Sequence, residues 1–212
     1  MLIISVVVLV IALGVIGWTQ WQSYDEARVE TVGARPTASA SPAVPESGDT
    51  PSATPSPEDV LEFPIPRRVR IPTLGVDARI VPVGLEKGGA IEIPENIRRV
   101  GWYDLGVPPG ANQGSAVLVA HRDGQVQGRG VFYDLGALDV GDQVVVRDDA
   151  GQSLRYSVVS RELILKKRLP YEELFAIDGP PRLTLISCGG YYDPDNGGYQ
   201  DNVVVTAVPV TE

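Results

Sequence analysis

The sequence predicts an all-β domain, a barrel or sandwich, carried behind an apolar N-terminal segment and an extended tether. From about Glu62 onward, short runs rich in Val and Ile are divided by Gly, Pro and Asp at intervals of about ten residues, the spacing of strands joined by turns. Before that point the composition changes twice, first to an uncharged apolar run and then to a Pro/Ser/Ala/Thr tract. The chain has 212 residues, enough for one ordinary domain of roughly 100–150 residues plus an appendage.

The apolar run, Leu2 to Trp18, is about 17 residues long, the short end of the range for a bilayer-spanning helix. A cleaved signal peptide would want a basic stretch before the run and small residues after it. Here Met1 leads directly in, and Trp18 and Trp21 follow as an interfacial aromatic belt would, so residues 1–21 are expected to form a retained single-pass membrane anchor. Residues 22–60 are expected to be a juxtamembrane segment and linker. Their core, from about Gly33 to Pro57, is too poor in large apolar side chains to offset the entropy of ordering, and its prolines bias it toward extended conformations.

Residues 61–212 are the expected folded domain. Candidate strands are Arg67–Ile71, Ala78–Gly84, Ser115–Ala120, Gln143–Arg147, Leu154–Leu163, Arg182–Ser187 and Asn202–Val208, with a further short one near Ala90–Ile93. Pro170 to Ile177 predicts a short helix, with proline near its start and acids in its first turn, and Val131–Leu138 a further turn.

The formal charge of −9 argues against a nucleic-acid-binding protein, whose footprint would be a basic stripe, and the chain shows no such stripe along its length. Its basic clusters are Arg67-Arg68 and Lys166-Lys167-Arg168, each of which reads as a solvated face.

One cysteine and one histidine are present, which excludes an intramolecular disulfide and any site with several cysteine ligands. An unpaired thiol in a chain with an export-type N-terminus needs a reason, and reactivity is one. Cys188 closes the run RLTLIS and is followed by Gly189 and Gly190, which leave room for a substrate carbonyl. His121 closes a second run, GSAVLVA, in the equivalent position. The thiolate is the nucleophile, and a neighbouring imidazolium lowers its pKa and can return a proton to a leaving amine. Each residue also has a bland reading, a small buried hydrophobe for the cysteine and a hydrogen-bonded surface residue for the histidine.

The segments LVAHRDG and LTLISCGG resemble the histidine and cysteine motifs of the sortases, the second being similar to their TLxTC signature with Ser187 in the second threonine's place. VRIPTLGVDARIVPVGLEKGGAIEIPENIRRVGWYDLGVPPGANQGSAVLVAHRD resembles the first half of actinobacterial class E and F sortase domains. VFYDLGALDVGDQVVV and DNVVVTAV continue the similarity, which covers roughly residues 64–209, and the Cys-Gly-Gly is most like class F.

The resemblance implies a closed eight-stranded sortase-type β-barrel. It implies a transpeptidase in which Cys188 attacks the Thr–Gly bond of an LPxTG-type sorting signal on a secreted protein, and in which His121 carries the proton. An amine acceptor such as lipid II or a cell-wall stem peptide would resolve the thioacyl-enzyme. On the same resemblance Thr184, Gly189, Gly190 and Tyr191 are candidate substrate contacts. The catalytic domain is expected outside the cell membrane, as a monomer, without cofactor or metal.

The family's third residue, an arginine on the last strand, has no counterpart, because no arginine follows Arg182. Asn202 falls at that position with Gln200 two residues upstream. An amide can donate a hydrogen bond to an oxyanion but carries no charge. Arg122 is a candidate substitute cation, although alternation would turn it from His121's face. Asp123 is a candidate to orient the imidazole, or else a turn aspartate before Gly124. The acidic segment YYDPDNGGYQDN lacks the twelve-residue calcium-loop pattern and reads as a solvated turn whose tyrosines line a substrate groove. Two alternatives remain: an L,D-transpeptidase, disfavoured by the lack of a second histidine, and a catalytically impaired surface-binding or scaffold domain, favoured by the missing arginine.

Overall fold

The computed structural model describes residues 31–36 and 64–210. The apolar run and most of the tether lie outside these residues, and among those described no helix is long and apolar enough to cross a membrane.

Eleven strands occur among the described residues: β1 (Val32–Gly33), β2 (Pro66–Ile71), β3 (Val76–Val83), β4 (Arg99–Tyr103), β5 (Ser115–Val119), β6 (Asp123–Gly124), β7 (Gly128–Arg129), β8 (Gln143–Asp148), β9 (Ser153–Leu165), β10 (Arg182–Asp193) and β11 (Gly198–Pro209). The order β9-β11-β10-β5-β4-β3-β2-β8, closed by β8 pairing back onto β9, makes an eight-stranded barrel, as expected. Two of its pairs, β10 with β5 and β3 with β4, are parallel, which requires crossover connections rather than hairpins.

The barrel interior is filled from alternate positions: Val69 and Ile71 of β2, Val100 of β4, Ala116 and Leu118 of β5, Val144 and Val146 of β8, Leu183 and Leu185 of β10, and Val203 and Val205 of β11. Full burial of each larger side chain contributes about 1.5–3 kcal/mol. β5 is buried along its whole length, because its outward residues Val117 and Val119 join Ile186, Val204, Val83, Leu169 and Leu174 in a second cluster outside the barrel wall. The segment after β9 covers that cluster: a 3-10 turn at Lys166–Arg168 followed by α1 (Tyr171–Leu174), a single turn within the span predicted as a helix.

Several elements differ from expectation. β4 was not predicted, since RVGWY carries a glycine, which weakens a strand pattern. A Cβ at Gly101 would lie 2.9 Å from both methyls of Val83, so the glycine is what lets β4 pack there. Ala90–Ile93 forms only a bridge, between Leu85 and Ile91. The turn near Val131–Leu138 is a 3-10 turn at Leu135–Ala137. β10 does not end at Ser187 but runs on to Asp193, through a break in register between Gly189 and Tyr192.

Part of the predicted tether is docked. Val32–Gly33, inside the 22–60 linker, pairs with Arg161 and Ser160 of β9. Gly33 adopts φ +77°, and a Cβ there would collide with the carbonyl oxygen of Val159. Beyond it the Arg35 guanidinium meets the Glu162 carboxylate at 2.6 and 3.1 Å and Glu173 at 3.1 Å. Composition missed this because a two-residue strand and one arginine barely alter the character of a polar tract.

Candidate active site

Cys188 and Asn202 are direct Cα partners across the antiparallel pair β10·β11. On the other side of β10 the parallel pairing sets Ile186 opposite Val119, and the Ala120 N–H still donates to the Ile186 carbonyl at 3.2 Å. The paired register ends at Val119; His121 lies two residues further on, its carbonyl accepting from the Phe132 N–H at 3.2 Å, and it is not among the residues that line the groove at Cys188. Adjacent strands lie about 4.8 Å apart, so Asn202 and Cys188 are cross-strand neighbours, while His121 follows the end of the next strand, β5, by two residues. Cys188 and Asn202 have the parity of Ile186 and Val204, so they stand on the outer face of the barrel wall. Cys188 and His121 are partly buried, as is Asn202.

A groove of about 390 Å³ leads up to Cys188 along this face. Its apolar lining comes from Val119 and Ile186 below, Ile91 and Ile93 on one flank and Leu169 and Phe175 on the other, with Asn202 beside the thiol. Tyr103 and Phe175 meet edge to face at 5.3 Å, which ties the covering segment to β4. Sequence inspection did not single out Ile91, Ile93, Leu169 or Phe175. Their apolar character was visible, but a loop-borne flank has no periodicity to betray it.

The two glycines after the thiol have different duties. Gly190 adopts φ +71°, and a Cβ there would collide with the carboxylate of Asp201. Gly189 is buried, with a Cβ position 2.7 Å from a methyl of Val203, so it packs rather than touching a ligand. The local backbone after Cys188 therefore requires glycine for close approach to β11.

Four further candidates are engaged elsewhere. Thr184, taken as a substrate contact, is fully buried four residues from Cys188, and its hydroxyl lies 2.8 Å from that of Ser115 across β5·β10. Gln200 donates its amide to the carbonyls of Gly198 at 2.7 Å and Asn196 at 3.0 Å, closing the β10–β11 turn. Asp123 accepts a 2.6 Å hydrogen bond from the Tyr199 hydroxyl, so its carboxylate is committed to that phenol rather than to the imidazole. That bond, aided by burial, holds the Tyr199 phenol above its usual range. Arg122 lies over the rings of Tyr199 and Tyr133, 5.0 and 5.4 Å from their centroids, with Asp123 at 3.9 Å, and it does not line the groove.

Tyr191 is exposed and also lies off the groove lining. In the acidic turn, Asp193 caps the short helix Pro194–Asn196, accepting from the Asp195 N–H at 3.0 Å and the Asn196 amide at 2.7 Å. The Asn196 bond foremost holds its carboxyl below the usual range. Tyr192 and Tyr199 pack edge to face across the hairpin at 5.0 Å, so these two tyrosines brace the turn rather than the groove.

Comparison with known proteins agrees with this fold. The sortase domain family matches residues 69–210, and the chain belongs to the sortase family. No curated protein matches. Among solved structures, sortase C1 of the GBS pilus island 1 is similar at 26% identity and TM-score 0.54, over 69% of this chain and 64% of that one. This chain therefore spans just under two thirds of that relative's length. Sortase C-1 from Actinomyces oris (23% identity, TM-score 0.54, 68% of this chain and 73% of that one) shares the fold. So does sortase A from Corynebacterium diphtheriae (20% identity, TM-score 0.53, 71% of this chain and 63% of that one).

Proposed function

We propose that the protein is a cysteine transpeptidase that cleaves an LPxTG-type sorting signal and transfers the acyl group to a cell-wall amine. The observation that supports this is the cross-strand pair Cys188 and Asn202 in an apolar groove, with His121 two residues past the end of the neighbouring strand β5. The groove offers apolar walls to the side chain of an extended peptide while the thiol stands at its end.

In the first half-reaction the Cys188 thiolate adds to the carbonyl carbon of the Thr–Gly bond, forming a C–S bond and a tetrahedral oxyanion. Asn202 donates its side-chain N–H toward that oxyanion. Collapse breaks the C–N bond, and protonated His121 gives its proton to the departing amine. In the second half-reaction neutral His121 removes a proton from the incoming amine, a C–N bond forms, and the thiolate leaves. Thiol and imidazole return to their starting states, so atoms and charge balance. The Cys-Gly-Gly sequence supports an actinobacterial class F type. The uncharged apolar run at Leu2–Trp18 supports a single-pass anchor with the catalytic domain outside the cell membrane.

The full-length chain in detergent, incubated with an LPxTG peptide, is expected to gain the mass of the acyl fragment, to lose it to hydroxylamine, and to gain nothing as Cys188→Ala. The absence of any adduct together with intact peptide sinks the enzyme reading and leaves the scaffold alternative.

A further inference from the structure

The barrel carries a second polar feature on its outer face, away from the groove. Arg147 of β8 is the Cα partner of Arg68 on β2, Arg68 of Arg79 on β3, and Arg79 of Arg99 on β4. Four arginines thus stand abreast on one rung of four consecutive strands. All four are exposed, while their strand neighbours Val69, Ala78, Val100 and Val146 fill the interior. This corrects the expectation that the chain has no basic stripe: the stripe exists across the strands rather than along the sequence.

The rung is costly as it stands. Like charges directly opposite one another in a sheet are destabilising. Among the described residues only Arg68 is neutralised, by Asp77 at 2.6 Å, and Asp149 is drawn instead to Arg67 at 3.4 Å. Arg79, Arg99 and Arg147 have no ion pair or side-chain hydrogen bond among the described residues. Composition does not explain the clustering, because acids outnumber bases 27 to 18. Arg67, Arg68, Arg79 and Arg99 also border a depression of about 470 Å³, floored by Ile80 and Val81.

We propose that this rung binds a linear phosphodiester polyanion of the polyol- or sugar-phosphate kind. Guanidinium forks match the paired oxygens of a phosphate. Three strand spacings give a row of about 14 Å, long enough to engage successive phosphates of an extended chain. The row covers four of the eight barrel strands, about half the circumference. A flexible chain follows that curve, whereas a flat bilayer meets only part of it. No aromatic side chain lines the depression, so nucleic-acid bases would find nothing to stack on. Because the barrel is closed through β8, β2, β3 and β4, no free strand edge offers main-chain hydrogen bonds to an acidic peptide. The proposal is independent of the reaction at Cys188.

The test is fluorescence anisotropy of labelled poly(glycerol phosphate) with the full-length chain in detergent. Neutralising three or four phosphates predicts a log–log salt slope of about −2 to −3, or a loss of about 15- to 60-fold between about 50 and about 200 mM salt. Arg79→Gln/Arg99→Gln is expected to weaken binding at least about tenfold and reduce the slope by about 1 to 1.5. Its melting temperature should equal or exceed the parent's, because a repulsion is removed. Arg147→Gln, on another strand, should weaken binding about threefold. The charge-matched Arg155→Gln/Lys167→Gln should change it less than about twofold. Equal losses in the two double variants would overturn the proposal, as would equal or tighter binding of oligodeoxythymidine, polyglutamate or flat supported anionic bilayers.

Discussion

Replacing Gly190 with alanine perturbs the backbone directly behind the thiol. At φ +71° a residue with a Cβ gives up about 1–2 kcal/mol relative to glycine. The added methyl would also collide with the Asp201 carboxylate and lie 2.8 Å from Asp201 Cβ. Asp201 is buried at 2% exposure, so it cannot swing into solvent without moving β11. Overpacking of this kind adds about 1–3 kcal/mol, giving a total near 3 kcal/mol. For an ordered domain of this size that lowers the melting temperature by about 6–12 °C. Because Asp201 immediately precedes Asn202, relief of the clash shifts the residue opposite Cys188, and transpeptidation should fall more than stability alone explains. Thermal denaturation and peptide cleavage, measured on Gly190→Ala, Asp201→Ala and the double variant, separate the parts. Removing the carboxylate should recover about 1 kcal/mol of the alanine's cost, as a coupling between contacting residues. An unchanged melting temperature with full turnover would refute the reasoning, and strict additivity would refute the clash.

Three other outcomes are expected. Arg35→Ala should destabilise the full chain by about 1.5–3 kcal/mol in urea unfolding, because a charge-assisted hydrogen bond and ion pair to the mostly buried Glu162 and a further ion pair to Glu173 are lost. Burial pushes the Tyr156 phenol up to about 12, with the Gly110 N–H bond opposing it. A group raised in the folded state contributes fully below its unfolded pKa of about 10 and loses that contribution as pH rises toward about 12, here up to about 3 kcal/mol. Tyr156→Phe should remove this limb from the stability profile, and an identical alkaline fall in both proteins would exclude the phenol as its source. Asn202→Ala should slow peptide cleavage at least about tenfold without changing the melting temperature, because the role proposed for its amide is that of an oxyanion donor. An unaltered rate would take Asn202 out of the site.

How much of this was legible beforehand depends on the range of the interaction. Strand positions followed from Val and Ile runs and turn residues, which are local signals, and they located most of the barrel. β4 escaped because Gly101 weakens its pattern, and its place is set by Val83 on a neighbouring strand. Cys188 and His121 stood out by being single. Asp123, Arg122 and Gln200 were drawn to the site by nearness in sequence and Thr184 by the motif resemblance, yet Tyr199, Tyr133, turn carbonyls and Ser115 engage them instead.

By itself the sequence determined the all-β class, the family motifs, the single cysteine and the lack of a terminal-strand arginine, because each is written in contiguous residues or in counts. Only the tertiary structure decided that Cys188 and Asn202 are cross-strand partners, that Arg35 is docked beside β9, and that Arg147, Arg68, Arg79 and Arg99 form one row. The physical reason is register. Pairing strands far apart in sequence fixes which side chains become neighbours across about 4.8 Å, and no window along the chain contains that information.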